Sequence, residues 1–431
     1  MFKGKTLLIT REFTSFMLIL ILTVVSNDTF LFGSNCNESM TALPRYGLLA
    51  FAIFFGLKLI AKKRVASHTF AMAGLMALLL AVSCLHNYIS TNLFVVKIVI
   101  LSSGFLFCQH YDFEIWSQYF RKVIFFLSIC SIIMTLLAYI APSLILALPT
   151  ATNIAGVKMY LGFFSGILDD AMNNTTFIRC PGVFWEPGVY QIYLNIAILL
   201  TLYSTEKNKS KPIIVYVIAL LFTFSTTGFI AVAWIFATYV MFSKNTKRST
   251  TKTIIYFLLL SFVFLAGLLL SDSELFDFVF GKLNSTHGSY TARLAGFVIN
   301  YEIARDNPIF GFGADMIKIS DEFIKRSSAS TIVFGTTRHN TNTLMYQFAA
   351  FGIPFGLLYL YGTFNFGRQL ASNKMTILSI FGTFVILYTG ENLFSSIFPY
   401  IIVFYGMNAI GHSQERVKRN KLVRAVEGIQ Q

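Results

Sequence analysis

Arg179 and Glu186 share the short segment Arg179-Cys-Pro-Gly-Val-Phe-Trp-Glu-Pro-Gly. Pro181-Gly182 signals a turn, and Pro187 suits the first position of a helix, which puts Glu186 at its N-cap. A carboxylate there is favoured by the positive end of the helix dipole. The pair reads either as a working acid and cation or as a capping Glu beside an Arg that meets lipid headgroups. A second group lies in SYTARLAGFVINYEIARDNPIFGFG, which predicts an amphipathic helix from about Ser289. Leu294, Phe297, Val298, Tyr301 and Ile303 form its expected apolar face, Asn307-Pro308 stops it, and Gly311-Phe312-Gly313 turns the chain. Arg305 falls in the last turn, where the dipole favours a cation. Arg293 falls in the first turn, where the dipole opposes it. A bound anion resolves that conflict, because a guanidinium fork matches phosphate oxygens and a helix start offers free N–H groups. A third group, Arg338-His339-Asn340, directly precedes an apolar run. His339 there is a candidate general base near neutral pH, against the plainer reading of a capping Asn with incidental neighbours. Glu391, in the tight turn between the last two apolar runs, either joins these residues or caps a helix. The chemistry suggested is anion binding by arginines coupled to proton removal.

The elements that must position these groups are membrane helices. The chain has 431 residues, 55% hydrophobic and 13% charged, with mean hydropathy +0.65 and 46 Phe. Soluble domains carry about 25% charged residues. Apolar runs recur along the whole length, each near the ~20 residues that cross a hydrocarbon core as a helix. Spans are expected near 13–32, 46–61, 69–85, 92–108, 123–148, 186–204, 212–225, 226–242, 253–271, 341–365, 374–390 and 393–411. The fold class is therefore an all-α polytopic membrane protein of about twelve transmembrane helices, one integral membrane domain over residues 1–431. Ser225-Thr226-Thr227-Gly228 is the break inside the long 212–242 region.

Most of the 34 Lys and Arg sit on alternate connections. Examples are Lys62-Lys63-Arg64, Arg121-Lys122, Lys207 to Lys211, and Lys244 to Lys252. The positive-inside rule makes that side cytoplasmic, with both termini inside and a basic cytoplasmic tail over 412–431. The net charge of +14 is thus a topology signal and implies no nucleic acid. Two substantial loops face the other side: 149–185 and 272–340, the latter containing short helices. All three groups above, and Glu391, fall on that outer side.

Other signals are weaker. The first apolar run lacks a small-residue cleavage site and reads as a span rather than a leader. Five cysteines show no CxxC spacing, with a Cys36–Cys180 disulfide as the minor alternative to free thiols. Asp169-Asp170 suits a cation or, more simply, a solvated turn. Lys58 and Lys97 fall inside spans but near enough to an interface to snorkel. No Walker loop, HExxH, GxSxG or dinucleotide fingerprint occurs, and no ligand cluster calls for a metal.

Three patterns carry a family resemblance. They are Arg179-Cys-Pro-Gly-Val-Phe-Trp-Glu-Pro-Gly, Arg293 through Asn307-Pro308-Ile-Phe-Gly311-Phe-Gly313, and His339-Asn340-Thr-Asn-Thr-Leu344 with Gly352 following. Together with the Ser225–Gly228 break and the whole-chain topology, they resemble the bacterial O-antigen polymerases. These are the Wzy-type polymerases of lipid-linked repeat units, related to the O-antigen ligases. The resemblance implies a GT-C-like helical fold in the bacterial inner membrane and a glycosyltransferase that needs no cofactor. It implies undecaprenyl-diphosphate-linked donor and acceptor glycans, membrane lipids and a chain-length regulator protein as partners. The growing glycan would pass from its carrier to the non-reducing end of a fresh repeat unit at the periplasmic face. Arg293 and Arg179 would hold the diphosphate, Arg338 or Arg305 would assist, and Asn340 and Glu391 would contact substrate. His339 would be the base, with Glu186 as runner-up or as the group orienting the acceptor. A ligase acting on lipid A–core is the near alternative. A flippase or transporter ranks lower, because such proteins gather their polar groups at the midplane.

Overall fold

The computed structural model describes residues 2–24, 67–152, 157–169, 177–242, 288–329, 340–391 and 396–410. It also describes isolated positions between 29 and 56 and at 172 and 393. The expected spans at 253–271 and most of 46–61, the tail, Cys36, Lys58, Arg338 and His339 lie outside the described residues.

The described chain is mostly helical. Its helices are α1 (Phe2–Val24), α2 (Ser67–His86), α3 (Thr91–His110), α4 (Phe113–Ile140) and the short α5 (Pro142–Leu146). After a small sheet come α6 (Pro187–Tyr203), α7 (Ser210–Thr223), α8 (Thr226–Phe242), α9 (Gly288–Asp306) and α10 (Met316–Ala329). The chain then forms α11 (Thr343–Phe351), α12 (Ile353–Leu370), α13 (Lys374–Gly390) and α14 (Phe398–Ile410). Among the described residues, three helices are long and apolar enough to cross a bilayer, in α2, α3 and α4, and shorter apolar helices accompany them. This is a membrane protein.

Four expectations change. The fold is not all-α, because the 149–185 loop contains three antiparallel strands: β1 (Thr150–Thr152), β2 (Lys158–Gly162) and β3 (Ser165–Leu168). Their edge is bound to the segment before α6, where Gly166 N–H donates to the Gly182 carbonyl at 2.9 Å. The expected 123–148 span begins ten residues earlier, at Phe113, and stops at Ile140 before Pro142. A hydropathy window ends at Arg121, but that side chain is buried against Glu206 at 2.8 Å, so the helix runs through it. Lys97 does not snorkel; it is buried inside the bundle. The expected 341–365 span is broken at Gly352, where φ is +87° and Pro354 enters the next helix.

That break explains a motif. A helix interrupted inside a bundle leaves carbonyls that need donors. The turn after Asn307-Pro308 supplies them. Phe312 N–H donates to the Ala349 carbonyl at 2.8 Å and Gly313 N–H to Ala350 at 2.9 Å, while Ile353 N–H returns to Pro308 at 2.8 Å. Ser83 Oγ donates to Phe310 at 2.6 Å and Asn87 to Gly311 at 3.2 Å, sealing the turn against α2. Gly311 has φ +65°, and a Cβ there would overlap the Ala350 backbone. Gly311→Ala is therefore expected to cost about 2–6 kcal/mol, from left-handed strain plus overpacking. A fall in the melting temperature of the purified protein would register it.

Helix α6 is the axis of the bundle, buried from Pro187 to Leu202. It packs against α4, α7 and α8. A helix apolar on every side is stable only when surrounded in this way. Helix α9 is anchored by small residues. Ala292, Ala295, Ile299, Asn300, Ile303 and Ala304 are buried, whereas Phe297 and Tyr301 are each 54% exposed. Of the expected apolar face, Ile303 is buried and Leu294 and Val298 pack against the core, while Phe297 and Tyr301 turn outward. Gly296 lets Asn342 come to 3.3 Å of where a Cβ would stand, so the close face carries little bulk.

Candidate functional site

The loop before α6 is pinned to the end of α7. Cys180 N–H donates to the Phe222 carbonyl at 2.9 Å and Arg179 Nε to Thr223 at 3.2 Å. Those carbonyls are orphaned because Phe224 turns left-handed, with φ +44°, and ends the helix. The two terminal nitrogens of Arg179 make no hydrogen bond among the described residues. Helix α8 restarts at Thr226, with Gly228 N–H donating to Ser225 Oγ at 3.4 Å. Phe224-Ser225 is therefore the turn between α7 and α8, at the same end of the bundle as the start of α6, where Gly228 packs on Gln191.

Glu186 is the N-cap residue of α6, as its position before Pro187 predicts, yet its side chain makes no capping hydrogen bond. Another carboxylate occupies the helix start. Glu391, at the C-cap of α13 and 9% exposed, rests over Gly188, where a Cβ would collide with it. Gly390 in turn packs on Thr227. The Glu391 backbone is fixed by Thr343, whose Oγ donates to the Glu391 carbonyl at 2.6 Å and accepts from Leu393 N–H at 2.8 Å. The first residue of α11 is thereby joined to the loop that follows α13.

Helix α9 completes the group. Asn300 and Asn340 exchange reciprocal amide hydrogen bonds at 2.8 and 2.9 Å, and Thr341 Oγ lies 3.5 Å from the Ala292 carbonyl. The chain just after His339 is thus laid along α9 from Asn300 to Ala292, next to Arg293. Arg293 makes no hydrogen bond or ion pair among the described residues. It stands in the second turn of α9, not the first, so the dipole conflict inferred for it largely disappears. Burial pulls the Arg179 guanidinium below the usual arginine range. Glu186 and then Glu391 oppose that shift, and the like charge of Arg293 adds to it. These four side chains therefore share one electrostatic neighbourhood.

Arg305 is placed elsewhere. It lies about 18 Å along α9 from Arg293. It is 61% exposed and pairs with Asp306 at 3.0 Å. Arg326 of α10 also binds Asp306, at 2.6 Å, and binds Glu322 at 2.7 Å. Both arginines hold the Asp306 carboxyl below its usual range, Arg326 more than Arg305. Asp169 accepts from Tyr160 at 2.6 Å and faces Lys158, a structural arrangement within the sheet. Cys180 is a free, buried thiol.

The arrangement brings the N-termini of α6, α8 and α11 to one end of the bundle, beside two arginines with donors that no described residue accepts. Helix N-termini and guanidinium groups both favour an anion. Two carboxylates next to them can orient a hydroxyl or accept its proton. Gly188 and Thr343 stand inside the motifs that carry the resemblance but were given no role, and Asn300 was missed, its one trace being an amide at a helix position whose neighbours are apolar.

The family model described as O-antigen ligase matches residues 212–360. Over this segment, about a third of its length, the chain is similar to the O-antigen ligase family. The match takes in α7, α8, α9 with Arg293, the 307–313 turn and α11, and ends within α12. Arg179, Glu186 and Glu391 lie outside it. The likeness first read from local motifs is thus found again in a continuous segment, and it supports a glycosyltransferase-like enzyme of the ligase or polymerase type. No curated protein matches the chain.

The cradle for the Glu391 carboxylate yields a direct test. Gly188→Ala adds a methyl group where Glu391 now rests, and the flexible end of that side chain must swing away. Alanine is itself a better helix former than glycine by about 1 kcal/mol. Folding should therefore persist, and if Glu391 belongs to the site, activity should fall by about 10²-fold, the scale of a misplaced group. Equal activity in detergent-solubilised wild type and variant would remove Glu391 from the site.

Proposed function

We propose that this protein is an inner-membrane glycan polymerase that moves a growing O-antigen or related surface polysaccharide from undecaprenyl diphosphate to a new lipid-linked repeat unit. Both termini are cytoplasmic, and the site opens on the periplasmic side of a twelve-span, GT-C-like bundle. The observation carrying this reading is that Arg293 and the terminal nitrogens of Arg179, which make no hydrogen bond among the described residues, share a neighbourhood with three helix N-termini and two carboxylates. Nucleotide sugars are absent outside the cytoplasmic membrane, so a donor used there must bring its own leaving group. A polyprenyl diphosphate does so.

In the reaction the C1–O bond between sugar and diphosphate breaks, and the bonding electrons leave on the phosphate oxygen. Arg293 and the terminal nitrogens of Arg179 meet that developing charge, each such donor contributing about 3–4 kcal/mol. The acceptor hydroxyl attacks C1 and gives up its proton to a base. His339 is assigned that role because the residues directly after it lie along α9 beside Arg293. Glu186, free of its capping bond, orients the acceptor or replaces the base. Asn340 is committed to Asn300 and positions the chain next to His339; Arg338 assists at the diphosphate, and Arg305 acts at a distance, through substrate further out. A chain-length regulator is the protein partner expected of such a polymerase.

The second reading is favoured by the matched segment, which is described as an O-antigen ligase. A ligase would run the same donor chemistry onto lipid A–core. Deleting the gene and profiling lipopolysaccharide on gels separates the two. Loss of a polymerase leaves core bearing one repeat unit, whereas loss of a ligase leaves bare core. An unchanged profile of every surface glycan would reject both.

A further inference from the structure

Phe297 and Tyr301 should be inside by size, yet each is 54% exposed on a helix that buries Ala292, Ala295, Ile299 and Ile303. Neither ring makes an aromatic contact with another described residue. They follow Arg293 at intervals of four, and Arg305 continues the series. On a helix that spacing gives a stripe climbing about 6 Å per step and turning about 40° each time. Exposed large apolar groups that recur on one face mark a binding surface more often than chance. Charges border the rings: Arg293 at one end, Arg305 at the other, and Glu302 beside Tyr301. A face made for hydrocarbon would lack that interleaving. Sugars present the complementary chemistry, since the C–H face of a pyranose stacks on an aromatic ring while its hydroxyls reach neighbouring charged groups. The ~6 Å step is also close to the length of one hexose in a chain.

We infer that Phe297 and Tyr301 form a saccharide track that leads the glycan away from the anion site at Arg293. The inference rests on the proposed glycan transfer and adds a subsite to it: stacking positions for the sugars next to the reacting unit. Arg305, distant from the diphosphate, then belongs to the far end of the same track.

The test uses the full chain in nanodiscs with Tyr301→Trp as reporter, read as the difference from wild type and its 3 native Trp. The probe is delipidated polysaccharide released from the same cells. Saturable quenching or a blue shift is expected, together with protection from acrylamide. Quenching by brominated lipids with no response to polysaccharide would mean that this face lies in the membrane interface, and would overturn the track. No response to either would also overturn it. In transfer assays, Phe297→Ala with Tyr301→Ala should raise the donor KM roughly tenfold more than it lowers kcat, the scale of lost ring stacking. Restoring Tyr301 as Trp should recover most of the loss. Wild type that transfers glycan while the double variant matches it would sink the track alone. Wild type without transfer would instead sink the reaction proposed above.

Discussion

Arg293→Lys is expected to lower glycan transfer by about 10²-fold although it keeps the positive charge. Lysine offers a point charge on a flexible stem, whereas guanidinium presents paired donors to two oxygens of one phosphate. Arg293 has the larger share of this work because Arg179 already spends Nε on the Thr223 carbonyl. The two positions should therefore differ in kind. Arg293 variants should fold normally and fail in transfer. Arg179→Ala should in addition loosen the junction of α7 with its loop, by leaving the Thr223 carbonyl without that donor, and so lower both melting temperature and rate. Initial rates in membranes from a deletion strain, normalised to protein level, separate these outcomes. Full activity of Arg293→Lys would argue against bidentate diphosphate binding.

His339→Ala is expected to reduce transfer by a factor of about 10² to 10⁴, the ordinary worth of a positioned base. The sign of the pH effect discriminates further. A base must be unprotonated to act, so the wild-type rate should climb with rising pH as the base loses its proton. The Ala variant should lose that limb. If the limb survives in His339→Ala and disappears in Glu186→Gln, the carboxylate is the base and the histidine is not. That outcome is physically open, since the Glu186 side chain makes no capping hydrogen bond. A profile untouched by either substitution would place proton removal on another group.

The sequence by itself determined the class of the molecule and most of the parts list. Long apolar runs set helices in a membrane because hydrocarbon offers backbone groups no other partner. Pro187 set the start of α6 and Glu186 its cap, and Asn307-Pro308 set the end of α9, because proline restricts the backbone locally. Those are short-range effects, readable within a few residues. Only the tertiary structure decided which of the parts meet. Arg179 and Arg293 share a neighbourhood because α7, α9 and α11 end together, and nothing in their spacing says so. Glu391 reached α6 because residue 188 lacks a side chain, a packing fact between segments two hundred residues apart. The same applies to α9, where close approach of Asn342 at Gly296 outweighed bulk and turned Phe297 and Tyr301 outward. Periodicity measures how apolar a face is; how near a neighbour can come is fixed only when the neighbour is there.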